Sequence, residues 1–167
     1  CMNFELFFIY DSHCPLSFAS LPLVNEIAAH FPDMPINLLH CAHYDGSTTL
    51  GEKTLAAVTE ATDITFSANY KNQLSSAANS TLAANLMAWI GAKVPDKALS
   101  VLNGLTKLHF VEGNPLTDID TFEQVVNEAK LSPPAKALKS DKLTKNTESS
   151  LFDIEELQGF IGTSAIP

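Results

Sequence analysis

Two short apolar runs bracket a helix-length segment at the start of this chain, and that arrangement limits the possible folds more than any other feature. Phe4-Glu5-Leu6-Phe7-Phe8-Ile9-Tyr10 reads as a strand. Its nearly continuous apolarity predicts burial on both faces, as in the middle of a parallel or mixed sheet. Asp11, Ser12 and His13 follow as a polar turn. Phe18, Leu21, Leu23, Val24, Ile27, Ala28 and Phe31 then recur at helical spacing from Pro15 to about His30. Pro15 suits a first helical turn, where its missing N–H costs nothing. Pro22 lies inside the segment and predicts a kink. Pro32-Asp33-Met34-Pro35 ends the helix, and Ile36 to Ala42 reads as a second buried strand. A strand, a helix and a strand in that order suit a right-handed parallel crossover.

The rest of the chain reads differently. His43 to Thr49 is a loop with a turn at Asp45-Gly46. From about residue 50 to 160 the pattern is helical, over 52–60, 64–74, 79–90, 95–110, 118–130, 133–139 and 151–158. Asn79 or Ser80 is the expected cap of the third of these, and Gly91 its stop. Two strands alone do not make a stable sheet, so this pattern calls for more strands than are visible.

Cys14 stands where the first strand gives way to the helix. A thiol at a helix N-terminus meets unpaired backbone N–H groups and the positive end of the helix dipole, both of which favour the reactive thiolate. The position reads as a redox active site. Position 17 of Cys14-Pro15-Leu16-Ser17 is serine, where a second cysteine would complete C-x-x-C. A single thiol can open a disulfide and form a mixed disulfide, but release must come from a second thiol. Ser17 is a candidate donor to the thiolate, and His13 a candidate positive charge beside it. Each also has a plainer reading, as an ordinary first-turn residue and a solvated turn histidine.

Composition narrows the partners. The 167 residues carry a formal charge of −9, with 46% apolar residues. No basic patch supports nucleic-acid binding. No run approaches the roughly 20 apolar residues that span a bilayer. With Cys1, Cys14 and Cys41 as the only cysteines, neither a disulfide scaffold nor a zinc ribbon is expected. Cys41, in the second strand, reads as core packing, with a distant resolving thiol as the alternative. His40 alternates away from Cys41 and His43 along the strand, so no metal site is expected. Met2 looks like an initiator, which suits a cytoplasmic protein. A lipid-modified Cys1 on an exported protein is the rival reading.

Three motifs in order resemble the DsbA-like branch of the thioredoxin superfamily. They are Asp11-Ser12-His13-Cys14-Pro15-Leu16-Ser17, Asn79-Ser80-Thr81-Leu82-Ala83-Ala84-Asn85, and Gly162-Thr163-Ser164-Ala165-Ile166-Pro167. The nearest group contains the FrnE-type proteins, the kappa-class glutathione transferases and the 2-hydroxychromene-2-carboxylate isomerases. The resemblance implies an α/β, thioredoxin-like fold with a large all-helical insertion between the second strand and a cis-proline loop. It divides the chain into a strand–helix–strand unit at 1–46, a helical insertion at 47–158 and the loop region at 159–167. The later strands and final helix of that fold are expected beyond Pro167. It implies Pro167 as the cis-proline, with the Ile166 backbone and Pro15 lining the substrate groove. Asn79 and Asn85 resemble polar groove positions, although a cap and an ordinary helix position are the simpler readings.

The expected function is thiol–disulfide exchange or isomerisation on a disulfide-containing peptide or protein, with Cys14 as nucleophile. No cofactor is required, and glutathione is the expected co-substrate if there is one. The alternatives are glutathione-dependent transfer or isomerisation of a small molecule, and a non-catalytic peptide-binding module.

Overall fold

The computed structural model describes residues 3–132, 134, 137–139 and 141–161. Strands β1 (Leu6–Tyr10) and β2 (Ile36–His40) pair in parallel, with Leu6 opposite Ile36 and Tyr10 opposite His40. Helix α1 (Pro15–His30) connects them as the crossover. Pro15 lies in its first turn. Pro22 sits inside it and offers no N–H to the Phe18 carbonyl. Burial is one-sided along β1. Phe8 and Tyr10 enter the core, whereas Phe7 on the opposite face is 41% exposed, so the continuous apolar run overstated how fully the sheet is covered.

The loop expected after β2 contains a second small sheet. Strand β3 (Asp45–Thr48) pairs antiparallel with β4 (Ala78–Asn79), with an irregular register between Asp45 and Thr48. Gly46 supplies a positive φ of 93° in this ribbon. A two-residue strand has no sequence periodicity to read. Asn79 ends the strand, its Oδ1 accepting the Thr81 N–H at 3.1 Å, and Ser80 is the N-cap residue of the helix that follows.

The helices are α2 (Glu52–Thr62), α3 (Ala68–Asn72), α4 (Thr81–Lys93), α5 (Ala98–Phe110), α6 (Ile119–Glu128) and α7 (Lys145–Ile161), with a 3-10 turn at Pro95–Lys97 before α5. Three expectations are corrected. The helix expected over 64–74 shrinks to one short turn capped by Ser67, whose Oγ accepts the Tyr70 N–H. Gly91 does not stop α4, which continues to Lys93. The last helix is 17 residues long and starts at Lys145, six residues before the helix expected over 151–158.

The main core joins Phe8 and Tyr10 of β1 and Leu21 and Val24 of α1 to Leu86 and Ile90 of α4, Leu102 and Leu105 of α5, and Phe122 of α6. Burying each such side chain contributes roughly 1.5–3 kcal/mol. A smaller core of Leu55, Val58, Phe66, Tyr70 and Phe110 has Leu16 and Phe18 of α1 packed against it. The first turn of α1, which carries Cys14 at its head, is thus wedged against α2, α3 and α5. Helices α4 and α7 pack on β2 and on each other.

Candidate active site

Cys14 is the N-cap residue of α1, with extended backbone (φ −85°, ψ 121°). Its N–H donates to the Asp11 carbonyl at 3.1 Å, and its carbonyl accepts the Phe18 N–H at 3.1 Å. The thiol is partly exposed. It lies on a cavity of about 500 Å³ lined by Cys14, Pro15, Leu16, Tyr44, Thr54 and Val58, with Lys53, Ala57 and Ala61 completing the α2 wall. Burial, and after it the Cys14 and Asp11 charges, push the Tyr44 phenol well above the usual tyrosine range. Ser17 follows one turn later, buried, with its Oγ accepting the Asp11 N–H at 3.2 Å. Of the groove residues expected, Pro15 lines this cavity. Ile166 and Pro167 lie outside the described residues.

The turn that carries the motif is buried rather than solvated. Asp11, Ser12 and His13 are each no more than 1% exposed. Asp11 is the hub. One carboxylate oxygen accepts the His13 N–H at 2.8 Å, and the other accepts the His43 N–H at 2.7 Å and the Ser80 hydroxyl at 2.9 Å. Burial alone would raise its pKa, but the His40 ring, the His13 N–H and ring, and the Ser80 hydroxyl together outweigh burial. The carboxyl is held below its usual range and is ionised at neutral pH.

A chain of hydrogen bonds runs behind the thiol. The Pro115 carbonyl can only accept, so His13 Nε2 donates to it at 2.9 Å. His13 Nδ1 then accepts the Ser12 hydroxyl at 2.9 Å. Ser12 Oγ accepts from His40 Nε2 at 2.9 Å, and His40 Nδ1 accepts the Ala42 N–H at 3.0 Å. Both rings are neutral in this arrangement. Burial is the main cause, lowering His40 to about 4 and His13 below its ordinary value. His109 is lowered to about 3, first by burial and then by the His13 ring, whose centroid lies 4.3 Å away at a 47° tilt. The positive charge expected from His13 beside Cys14 is therefore not present near neutral pH, and the side chain instead ties the active-site turn to the segment after α5.

Cys41, just past β2, is pushed up to about 12, first by burial and then by Asp11. It remains a protonated thiol. Among the described residues no cluster of His, Cys, Asp and Glu could hold a metal ion. His40 turns into the hydrogen-bond chain, while His43 is exposed with its ring edge-on to Tyr44 at 4.8 Å.

The sequence reading missed Tyr44. Residues 43–44 are positioned from both sides. The His43 N–H is held by Asp11, and the Tyr44 carbonyl accepts the Ser80 N–H at 2.9 Å and the Ser80 hydroxyl at 3.2 Å. Ala42 before them takes a left-handed φ of 49°, which costs a non-glycine residue roughly 1–2 kcal/mol. That turn brings Tyr44 back over the N-terminus of α1. Asn79 and Asn85 do not line the Cys14 cavity. Asn85 is buried, donating to the Lys142 carbonyl and accepting from the Thr144 N–H and the Thr147 hydroxyl.

No family model matches the chain, and no curated protein matches it by sequence. Solved structures do match it. The cytosolic disulfide reductase DsbM from Pseudomonas aeruginosa superposes with a TM-score of 0.78 at 15% identity, over 98% of this chain and 82% of that one. The same protein with GSH gives 0.78 at 16% identity, over 98% and 84%. A candidate protein disulfide isomerase from Nitrosomonas europaea gives 0.72 at 13% identity, over 93% and 80%. At these identities the likeness establishes architecture: the chain has the DsbA-like thioredoxin fold with a helical insertion.

Proposed function

We propose that this protein is a thiol–disulfide exchange enzyme with one reactive sulfur, Cys14, and glutathione as its co-substrate. The observation that carries this reading is Cys14 itself. It caps α1, opens onto a cavity, and has a serine where a resolving thiol would stand. The fold shared with a disulfide reductase that has been seen with GSH supports the same reading.

The Cys14 thiolate attacks a substrate disulfide. The bond between the two substrate sulfurs breaks, one leaves as a thiolate, and the other joins Cys14 in a mixed disulfide. A second thiol must then release it, and Cys41 does not suit that task because it stays protonated. Glutathione supplies the thiol. Ser17, one turn along α1, is a donor toward the Cys14 sulfur and takes no part in electron transfer. Pro15 lines the near wall of the groove, and Ile166 and Pro167 are proposed for the far wall. The Lys53 ammonium on the α2 wall suits an anionic substrate group. In this reading 1–46 supplies the nucleophile, 47–158 is the helical insertion, and the protein works in the cytoplasm, where reduced glutathione is abundant.

Intact-mass spectrometry after exposure to oxidised glutathione tests this directly. One glutathione per chain is expected on the wild type and none on Cys14→Ser. An unmodified wild-type protein, or an adduct that survives in Cys14→Ser, would remove the proposal.

A further inference from the structure

A single-thiol site must solve a problem of direction. Its mixed disulfide has two sulfurs, and only attack on the partner's sulfur frees Cys14. The outcome depends on which sulfur leaves more readily as a thiolate, and a hydrogen-bond donor on one sulfur favours its departure. Tyr44 is placed to do this. It shares the cavity wall with Cys14, and the two side chains are close enough for the Cys14 charge to act on the phenol. Its backbone is fixed by Asp11 through His43 and by Ser80 through two hydrogen bonds.

We propose that Tyr44 is a catalytic residue, whose phenolic O–H donates to Cys14 Sγ and makes Cys14 the leaving group when glutathione resolves the mixed disulfide. The inference rests on the exchange reading above. In the step, glutathione thiolate attacks the substrate sulfur, a new glutathione–substrate disulfide forms, and the Cys14–substrate bond breaks. The electron pair stays on Cys14 Sγ, where the Tyr44 hydroxyl receives it. The proton lost by glutathione goes to solvent, and one disulfide replaces another with no net oxidation. Burial, and after it the Cys14 and Asp11 charges, hold the Tyr44 phenol well above the usual tyrosine range. It therefore remains a donor beside a thiolate and does not lose its proton.

The test uses the full chain and its Tyr44→Phe variant. Each is loaded with one glutathione on Cys14, then mixed with reduced glutathione, and release is followed by intact mass. Tyr44→Phe is expected to slow release at least tenfold near neutral pH. It is also expected to move the pH–rate profile of Cys14 alkylation by iodoacetamide to higher pH. His43→Ala removes the ring packed on Tyr44 but no donor to Cys14, and is expected to stay within twofold in both assays. Release by Tyr44→Phe at the wild-type rate overturns the proposal. So does equal slowing of both variants with the alkylation profile unmoved, the signature of a merely structural turn. A wild-type protein that takes up no glutathione refutes the exchange reading instead, and the alkylation profile then still decides the role of Tyr44.

Discussion

Asp11 and Asn85 are both buried polar side chains with three hydrogen bonds each, and they do opposite jobs. Asp11 gathers the His13 N–H, the His43 N–H and the Ser80 hydroxyl around a charge, beside both described cysteines. Asn85 gathers the Lys142 carbonyl, the Thr144 N–H and the Thr147 hydroxyl around a neutral amide and secures the start of α7. A charge is costly to bury, and here both carboxylate oxygens face donors, which a neutral amide with its single acceptor oxygen would not satisfy. The difference marks the Asp11 network as the part of the interior whose electrostatics matter, and the Asn85 network as a fastening.

The sharpest break in this comparison is Asp11→Ala. Two buried donors and the part-buried His43 N–H lose their acceptor, so unfolding free energy should fall by roughly 3–5 kcal/mol, and exchange activity at least tenfold as the turn carrying Tyr44 loosens. Denaturant unfolding beside a glutathione-exchange assay would check both. Activity that survives such destabilisation would make the Asp11 network another fastening.

The second expectation concerns pH. His40 and His109 sit at about 4 and about 3 in the folded chain, with His13 also lowered, against an ordinary value near 6.5. Below about pH 6.5 the unfolded chain takes up protons that the folded chain refuses. Stability is therefore full above that pH and falls as pH drops toward 4, by an amount on the order of 3 kcal/mol for His40 alone. Asp11, lowered from its ordinary range, adds a further loss below about pH 4. Melting temperature across pH 4–8 measures this, and His40→Gln should flatten the slope.

Asn85→Ala is expected to cost about 2 kcal/mol, to leave the pH slope of melting unchanged, and to spare Cys14 alkylation. An altered alkylation rate would couple the two networks. The smallest effect belongs to Ala42→Gly. Glycine relieves the left-handed backbone at φ 49°, so stability should change by no more than about 1 kcal/mol. The freer turn should nonetheless slow glutathione release a few-fold by loosening Tyr44.

The contrast also explains what could be read in the chain. The strand–helix–strand unit and Cys14 at its bend were legible because apolar period and Pro15 are local signals. The order of the longer helices, over 52–60, 79–90, 95–110 and 118–130, was legible for the same reason. The Asp11 network was not. Asp11, Ser12 and His13 are each turn-forming polar residues, and their partners lie 69 residues away at Ser80 and 102 residues away at Pro115. Nothing local distinguishes a buried polar turn from a solvated one. Tyr44 was hidden in a stretch whose Asp45-Gly46 pair signals a turn, while the strand that holds it comes from Ala78–Asn79. Helix α7 begins in polar residues because Asn85, rather than an apolar stripe, secures its first turn.

The protonated state of Cys41 has a consequence for redox balance. A dithiol enzyme that closes its own disulfide releases two glutathiones for each oxidised glutathione it consumes, so its poise depends on the square of the reduced concentration. With Cys41 held near 12 and Ser17 unable to form a disulfide, Cys14 under the proposed chemistry exchanges one glutathione for another. The occupied fraction of the site then follows the simple ratio of oxidised to reduced glutathione and is indifferent to the total. Diluting or concentrating the whole pool would leave the occupancy of Cys14 where it was.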